Sequence, residues 1–180
     1  QIGDLAPTHV FIQCGVGSLA ASLQAFLVER YGADRPLLIC VEPTRAACFY
    51  RSVAAGDGSA HVVTGRLDTI MAGLACGEPS SLAWNILRDY GDLFVVCPDR
   101  VTVRGMRVLG NPLPGDRQII SGESGAVTLG LVYETATETA NRPLQEHLQL
   151  NRSSRILLFS TEGDTDPQMY RSIVWGDWLP

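Results

Sequence analysis

Lysine is missing altogether: the fourteen basic residues of this 180-residue chain are all arginine. No side chain can therefore serve as an amine nucleophile. The five cysteines, Cys14, Cys40, Cys48, Cys76 and Cys97, contain no CxxC pair and are odd in number. That argues against a secreted disulfide scaffold and against a structural zinc site, and predicts buried free thiols. No apolar run approaches the roughly 18 to 20 residues that cross a bilayer, so no membrane partner is expected. The opening Gln1-Ile2-Gly3-Asp4 has neither an initiator Met nor the basic n-region of a signal peptide, and the expected location is the cytoplasm. Net charge is −5 with arginines scattered singly; without a basic cluster among aromatics, nucleic acid is not an expected ligand.

What the chain does have is 46% apolar content, enough to bury the core of about one domain at this length. Short apolar runs bounded by Gly, Pro and Asp alternate with stretches of helical period. Val10-Phe11-Ile12, Leu37-Leu38-Ile39-Cys40-Val41, Leu93-Phe94-Val95-Val96 and Ile156-Leu157-Leu158-Phe159 read as buried strands, with a weaker one around His61-Val62-Val63. Helices are predicted over 18–31, 45–53, 68–75, 81–90, 101–109 and 125–137, and a further one carries Met169 to Ile173. Apolar strands between helices imply an α/β fold whose mostly parallel sheet is covered on both faces. A chain opening directly on a buried central strand also suggests a missing N-terminal portion.

The segment Gln13-Cys14-Gly15-Val16-Gly17-Ser18-Leu19-Ala20 is a strand end, a glycine turn and a helix start. Glycines let the backbone approach an anion closely, and a helix's first turn offers unpaired N–H groups at its positive end. Ser18 is positioned to cap the helix and to donate its hydroxyl to a phosphate. Two occupants fit these residues. Gly15-x-Gly17-x-x-Ala20, with Glu42 ending the next strand, matches a dinucleotide fingerprint in which the carboxylate holds a ribose. Read that way, the domain is a Rossmann module for NAD or FAD. A phosphate of another cofactor fits the same turn.

Longer runs separate the two. Gln13-Cys14-Gly15-Val16-Gly17 is followed by Val41-Glu42-Pro43 and Tyr50-Arg51-Ser52. Next come Thr69-Ile70-Met71-Ala72-Gly73-Leu74-Ala75-Cys76-Gly77-Glu78-Pro79 and Gly105-Met106-Arg107-Val108-Leu109-Gly110-Asn111-Pro112. The series closes with Ile120-Ser121-Gly122-Glu123-Ser124-Gly125-Ala126 and Ser160-Thr161-Glu162-Gly163-Asp164-Thr165-Asp166. In this order they closely resemble the C-terminal part of the diaminopropionate ammonia-lyase family, whose members use pyridoxal 5'-phosphate (PLP) on a tryptophan-synthase-β-like fold. The resemblance covers nearly the whole chain.

It implies that residues 1–180 are the cofactor-phosphate-binding portion of a larger homodimeric enzyme acting on a small amino acid. Backbone N–H groups of Gly15, Val16, Gly17, Ser18 and Leu19 would hold the PLP phosphate. Ser160 or Thr161 matches the hydroxyl near the pyridine nitrogen, and a neutral hydroxyl leaves that ring less protonated than a carboxylate would. Glu123 is either a pocket carboxylate or a first-turn helix residue favoured by the dipole. Asp164 and Asp166 either face a diamine substrate or cap the following helix. Glu42 becomes a structural carboxylate at a strand end. His9, His61 and His147 receive no role, and Cys48 and Cys76 are expected to be free thiols that could approach each other. No metal site is read. The reaction the resemblance implies is α,β-elimination of 2,3-diaminopropionate to pyruvate and ammonia. It needs a lysine that this chain lacks, so the chain alone is expected to be inactive. A non-catalytic remnant of the fold is a third reading, and the absent lysine favours it.

Overall fold

The computed structural model describes residues 6–177, so the opening tetrapeptide lies outside them. Four strands form one parallel sheet: β1 (His9–Gln13), β2 (Leu37–Pro43), β3 (Leu93–Cys97) and β4 (Ile156–Leu158), in the order β3-β2-β1-β4. β1 is central and buried along its whole length, pairing Phe11 with Ile39 on one side and with Leu158 on the other. Hydrogen-bonded neighbours on both edges and helices on both faces explain why it reads as an unbroken apolar run.

Successive strand side chains point to opposite faces, so the sheet separates two cores. Val10, Ile12, Leu38 and Cys40 pack with α1 (Ser18–Tyr31), α2 (Cys48–Ala55) and α3 (Ser81–Tyr90). Phe11, Ile39 and Val41 pack on the other side, with α4 (Asp99–Gly110) and α5 (Glu123–Thr137) contributing Val101, Val127 and Leu131. The short α6 (Arg142–His147) leads back to β4, and α7 (Pro167–Trp175) buries Ile173 and Val174 against Val103 and Met106 of α4.

Helices α4 and α5 cross at glycines. A Cβ on Gly105 would run into the carbonyl of Ala126, and one on Gly130 into the carbonyl of Val101. The helix α7 starts where Asp166 accepts hydrogen bonds from the backbone N–H groups of Gln168 and Met169, with Pro167 in its first turn. Such a cap is worth about 1 kcal/mol.

Three expectations need correction. Residues 61–63 form no strand; Val63 N–H instead donates to Gly77 O across a loop. The helix expected over 68–75 shrinks to a single 3-10 turn, Ala72–Leu74, because Thr69 and Ile70 are tied to Asp99 of α4. The second helix begins at Cys48 rather than Arg45, since Glu42 of β2 accepts from the N–H groups of Phe49 and Tyr50. In each case a partner outside the segment itself outweighs local propensity. Among the described residues no helix is long and apolar enough to cross a membrane, and no His, Cys, Asp and Glu group could hold a metal ion.

Candidate cofactor site

The sheet ends its strands at one edge, and the turn after β1 stands at the middle of that edge. Gly17 is in the left-handed region (φ 89°), and a Cβ there would enter the ring of Phe49. Gly15 is equally confined: its Cβ would lie 3.0 Å from Gly73 O and 3.2 Å from Cys76 Sγ. Cys48 Sγ donates to Gly15 O at 3.8 Å from the other side. The turn is thus held on both flanks while the first-turn N–H groups of α1 face outward without intrahelical partners. Ser18 is the first helical residue rather than its cap; Gly17 occupies the cap position and no side-chain cap bond forms.

Beside this turn lies a cavity of about 260 Å³ bounded by residues 15–20, Gln13, Gly73, Ser124, Thr161 and Glu162. Thr161 reaches it from beyond β4, where its Oγ1 accepts from Gln13 Nε2 at 2.6 Å. Ser160 is exposed and does not line it. At the start of α5, Glu162 Oε1 accepts from Ser124 N–H at 2.5 Å and Gly125 N–H at 3.2 Å. Ser124 Oγ in turn accepts from Gly73 N–H at 3.1 Å, linking α5 to the strand of chain that braces Gly15.

Glu123 is half-buried in the first turn of α5, and burial, with the nearby charges of Glu162 and Asp166, pushes its carboxyl pKa upward. It does not line the cavity, whereas Glu162 does. Asp166 is the α7 cap, and Asp164 is exposed nearby. Gln13, Gly73, Ser124 and Glu162 were not singled out by sequence reasoning. The one available signal was a glutamine closing the apolar run Val10-Phe11-Ile12 directly before the glycine turn.

Glu42 does not hold a ribose. It is fully buried, and its two oxygens accept from Phe49 N–H at 2.8 Å and Tyr50 N–H at 2.7 Å. Burial drives its pKa from an ordinary 4.5 up to about 7, partly opposed by those two N–H groups. Burial and the Glu42 charge push the Cys48 thiol up to about 12, so it stays protonated. All five cysteines are free.

The raised Glu42 pKa has a testable consequence. Between about pH 4.5 and 7 the folded protein keeps a proton that the unfolded chain has lost, so stability falls as pH rises through that window. The loss attributable to this group is about 3 kcal/mol. Chemical unfolding at pH 5 and pH 7.5 should therefore show a steeper decline in wild type than in Glu42→Gln; equal declines would refute the assignment.

A larger cleft of about 690 Å³ lies over the ends of β2 and β3, with Arg45, Asp68, Asp99 and Arg100 on its walls. Its charges are already engaged: Arg45 with Asp68 at 3.7 Å, Arg100 with Glu134 at 2.7 Å, and Asp99 with Thr69 and Ile70. The smaller cavity is the one with converging unpaired donors.

The family described as "Pyridoxal-phosphate dependent enzyme" matches residues 1–144. The chain belongs to that family. The residues present fit its cofactor on their own geometry. A turn with glycine at positions 15 and 17 at a helix start suits a phosphate, a hydroxyl stands at the cavity wall, and Gln13 Oε1 is buried there without a partner.

Among similar members is the diaminopropionate ammonia-lyase of Salmonella typhimurium, 47% identical over 94% of this chain and 42% of the relative. A crystal structure of the Escherichia coli diaminopropionate ammonia lyase, in complex with an aminoacrylate-PLP azomethine reaction intermediate, aligns with a TM-score of 0.86. It is 46% identical over 96% of this chain and 43% of its own. Threonine deaminase isoform 2 of Solanum lycopersicum shares the fold, with a TM-score of 0.75 at 18% identity. The chain spans about two-fifths of the length of the curated relatives it matches. Its PLP-dependent fold is the parallel sheet with helices on both faces described above.

Proposed function

We propose that residues 1–180 are the C-terminal portion of a PLP-dependent diaminopropionate ammonia-lyase, with the lysine-bearing N-terminal portion outside this chain. The parent reaction would convert 2,3-diaminopropionate and water to pyruvate and two ammonia molecules, in a cytoplasmic homodimer. The observation that carries the reading is the convergence of the 15–20 turn, Thr161 and the start of α5 on one cavity. Identity of about 47% to ammonia-lyases across nearly the whole chain supports it.

In this reading the N–H groups of Gly15, Val16, Gly17, Ser18 and Leu19 bind the phosphate, aided by the Ser18 hydroxyl. The Thr161 hydroxyl, rather than that of Ser160, faces the pyridine ring. Bound PLP supplies an electron sink for the pair left at the substrate's α-carbon. Glu162, with Glu123 and Asp164 as further candidates, would orient a diammonium substrate, while Asp166 acts as a helix cap. The amine that joins the cofactor and the group that takes the α-proton are not supplied by these residues.

Titrating the pure 180-residue protein with PLP is expected to give saturable binding that inorganic phosphate competes away. Borohydride should leave no cofactor covalently attached, and no pyruvate should form. Failure to bind PLP, or binding of NAD in its place, would remove the reading; pyruvate formation would overturn the inactivity of the isolated chain. Adding the lysine-bearing portion in trans separates a split lyase, which regains pyruvate release, from a non-catalytic remnant, which does not.

A further inference from the structure

Gln13 ends the central strand only 4% exposed, a buried polar residue directly after the apolar Val10, Phe11 and Ile12. Its Nε2 lies 3.0 Å from Phe159 O and 2.6 Å from Thr161 Oγ1. A main-chain carbonyl can only accept, so the atom facing Phe159 must be the amide nitrogen, and this fixes which way the Gln13 amide points. The second hydrogen of the same nitrogen goes to Thr161 Oγ1. One lone pair of that hydroxyl is thereby occupied, and its own O–H is left to be given elsewhere, on the side where Thr161 borders the cavity.

We propose that Gln13 is a positioning residue that acts through Thr161, setting that hydroxyl as a hydrogen-bond donor toward the cavity and so holding the ring nitrogen of bound PLP as an acceptor. The proposal rests on the reading of this cavity as the PLP site. An amide that donates twice cannot receive the Thr161 proton, so the hydroxyl has no competing acceptor in Gln13. A ring nitrogen that accepts a hydrogen bond is disfavoured from taking a proton, because a protonated ring would turn a second donor against the first.

The test uses PLP labelled with 15N at the ring, bound to the purified protein, with the ring nitrogen's shift followed across pH. Gln13→Met removes the donor at similar size and without adding charge. It is expected to raise the ring's proton affinity about tenfold, the worth of one hydrogen bond. Gln13→Glu, which when ionised can only accept, should raise it further at pH values where that carboxylate is charged. In a Thr161→Val background the Gln13→Met effect should vanish, because the effect travels through the hydroxyl. The same titration in wild type and Gln13→Met, with PLP bound to both, would overturn the proposal, as would an undiminished Gln13→Met effect beside Thr161→Val. If Gln13→Met does not fold, the Gln13→Glu increment compared in the two backgrounds decides: a smaller increment beside Thr161→Val supports relay through the hydroxyl, an equal one refutes it. Absence of PLP binding by wild type is seen before any variant is made; it defeats the reading of the cavity itself, and the proposal with it.

Discussion

Gly17→Ala is expected to reduce PLP affinity by at least about a hundredfold while leaving the protein folded. Two independent costs meet at this position. Its backbone is left-handed at φ 89°, which costs a non-glycine residue roughly 1 to 2 kcal/mol. The new Cβ would also enter the ring of Phe49, with Ala83 Cβ 3.0 Å away. Phe49 cannot yield easily: it is fully buried, stacked on Phe94 at 6.2 Å between centroids and tilted against Trp84. The turn must therefore move, and with it the N–H groups proposed to face the phosphate. Two tenfold steps correspond to about 3 kcal/mol of binding, in line with the loss of several aligned donors. Ser18→Ala, which removes one hydroxyl and leaves the backbone in place, should cost about tenfold or less. PLP titration monitored by absorbance, beside circular dichroism, checks both; equal affinities for wild type and Gly17→Ala would contradict the phosphate assignment.

Gly130→Ala should destabilise the fold by about 3 kcal/mol, although alanine is the better helix former by about 1 kcal/mol. The reason is backbone against backbone. The added Cβ falls on the carbonyl of Val101 in α4, and the reciprocal Gly105 lies as close to the carbonyl of Ala126. Neither contact ends in a flexible side chain that could rotate away, so α4 and α5 must separate along a shared buried face. Because α5 also carries Ser124 to the cavity, cofactor affinity should fall together with stability. Denaturant unfolding provides the measurement, with Gly163→Ala as the control, since a Cβ there meets nothing within 4 Å. A neutral Gly130→Ala would mean that the helices are not packed this closely.

Several elements were legible locally. β1 and β2 announce themselves as short apolar runs because they are buried on both faces, β3 at the sheet edge keeps the same apolar run while only partly buried, and helix α3 carries its own period over 81–90. Residues 56–80 were not legible. Their conformation rests on Ser52 Oγ, Asp99 and Ser124 Oγ, which accept from the N–H groups of His61, Ile70 and Gly73. No pattern within the segment predicts those partners. The helical period read over 68–75 was real as a pattern but lost to contacts from α4. For Glu42, its place at the end of the strand that follows the glycine turn suggested a ribose ligand; burial and two backbone donors make it a structural carboxylate instead.

The glycine turn between β1 and α1 and the missing amine were determined by the sequence alone. Glycine at a left-handed, closely packed position is a property of residue type, and a residue that is absent cannot be supplied by folding. Which groups face the turn was decided only in three dimensions. Gln13, Ser124, Thr161 and Glu162 lie up to 149 positions apart, and they meet because parallel strands bring the ends of β1 and β4 to one edge beside the start of α5. That convergence, not any local motif, selects Thr161 over Ser160 and Glu162 over Glu123 as groups lining the cavity.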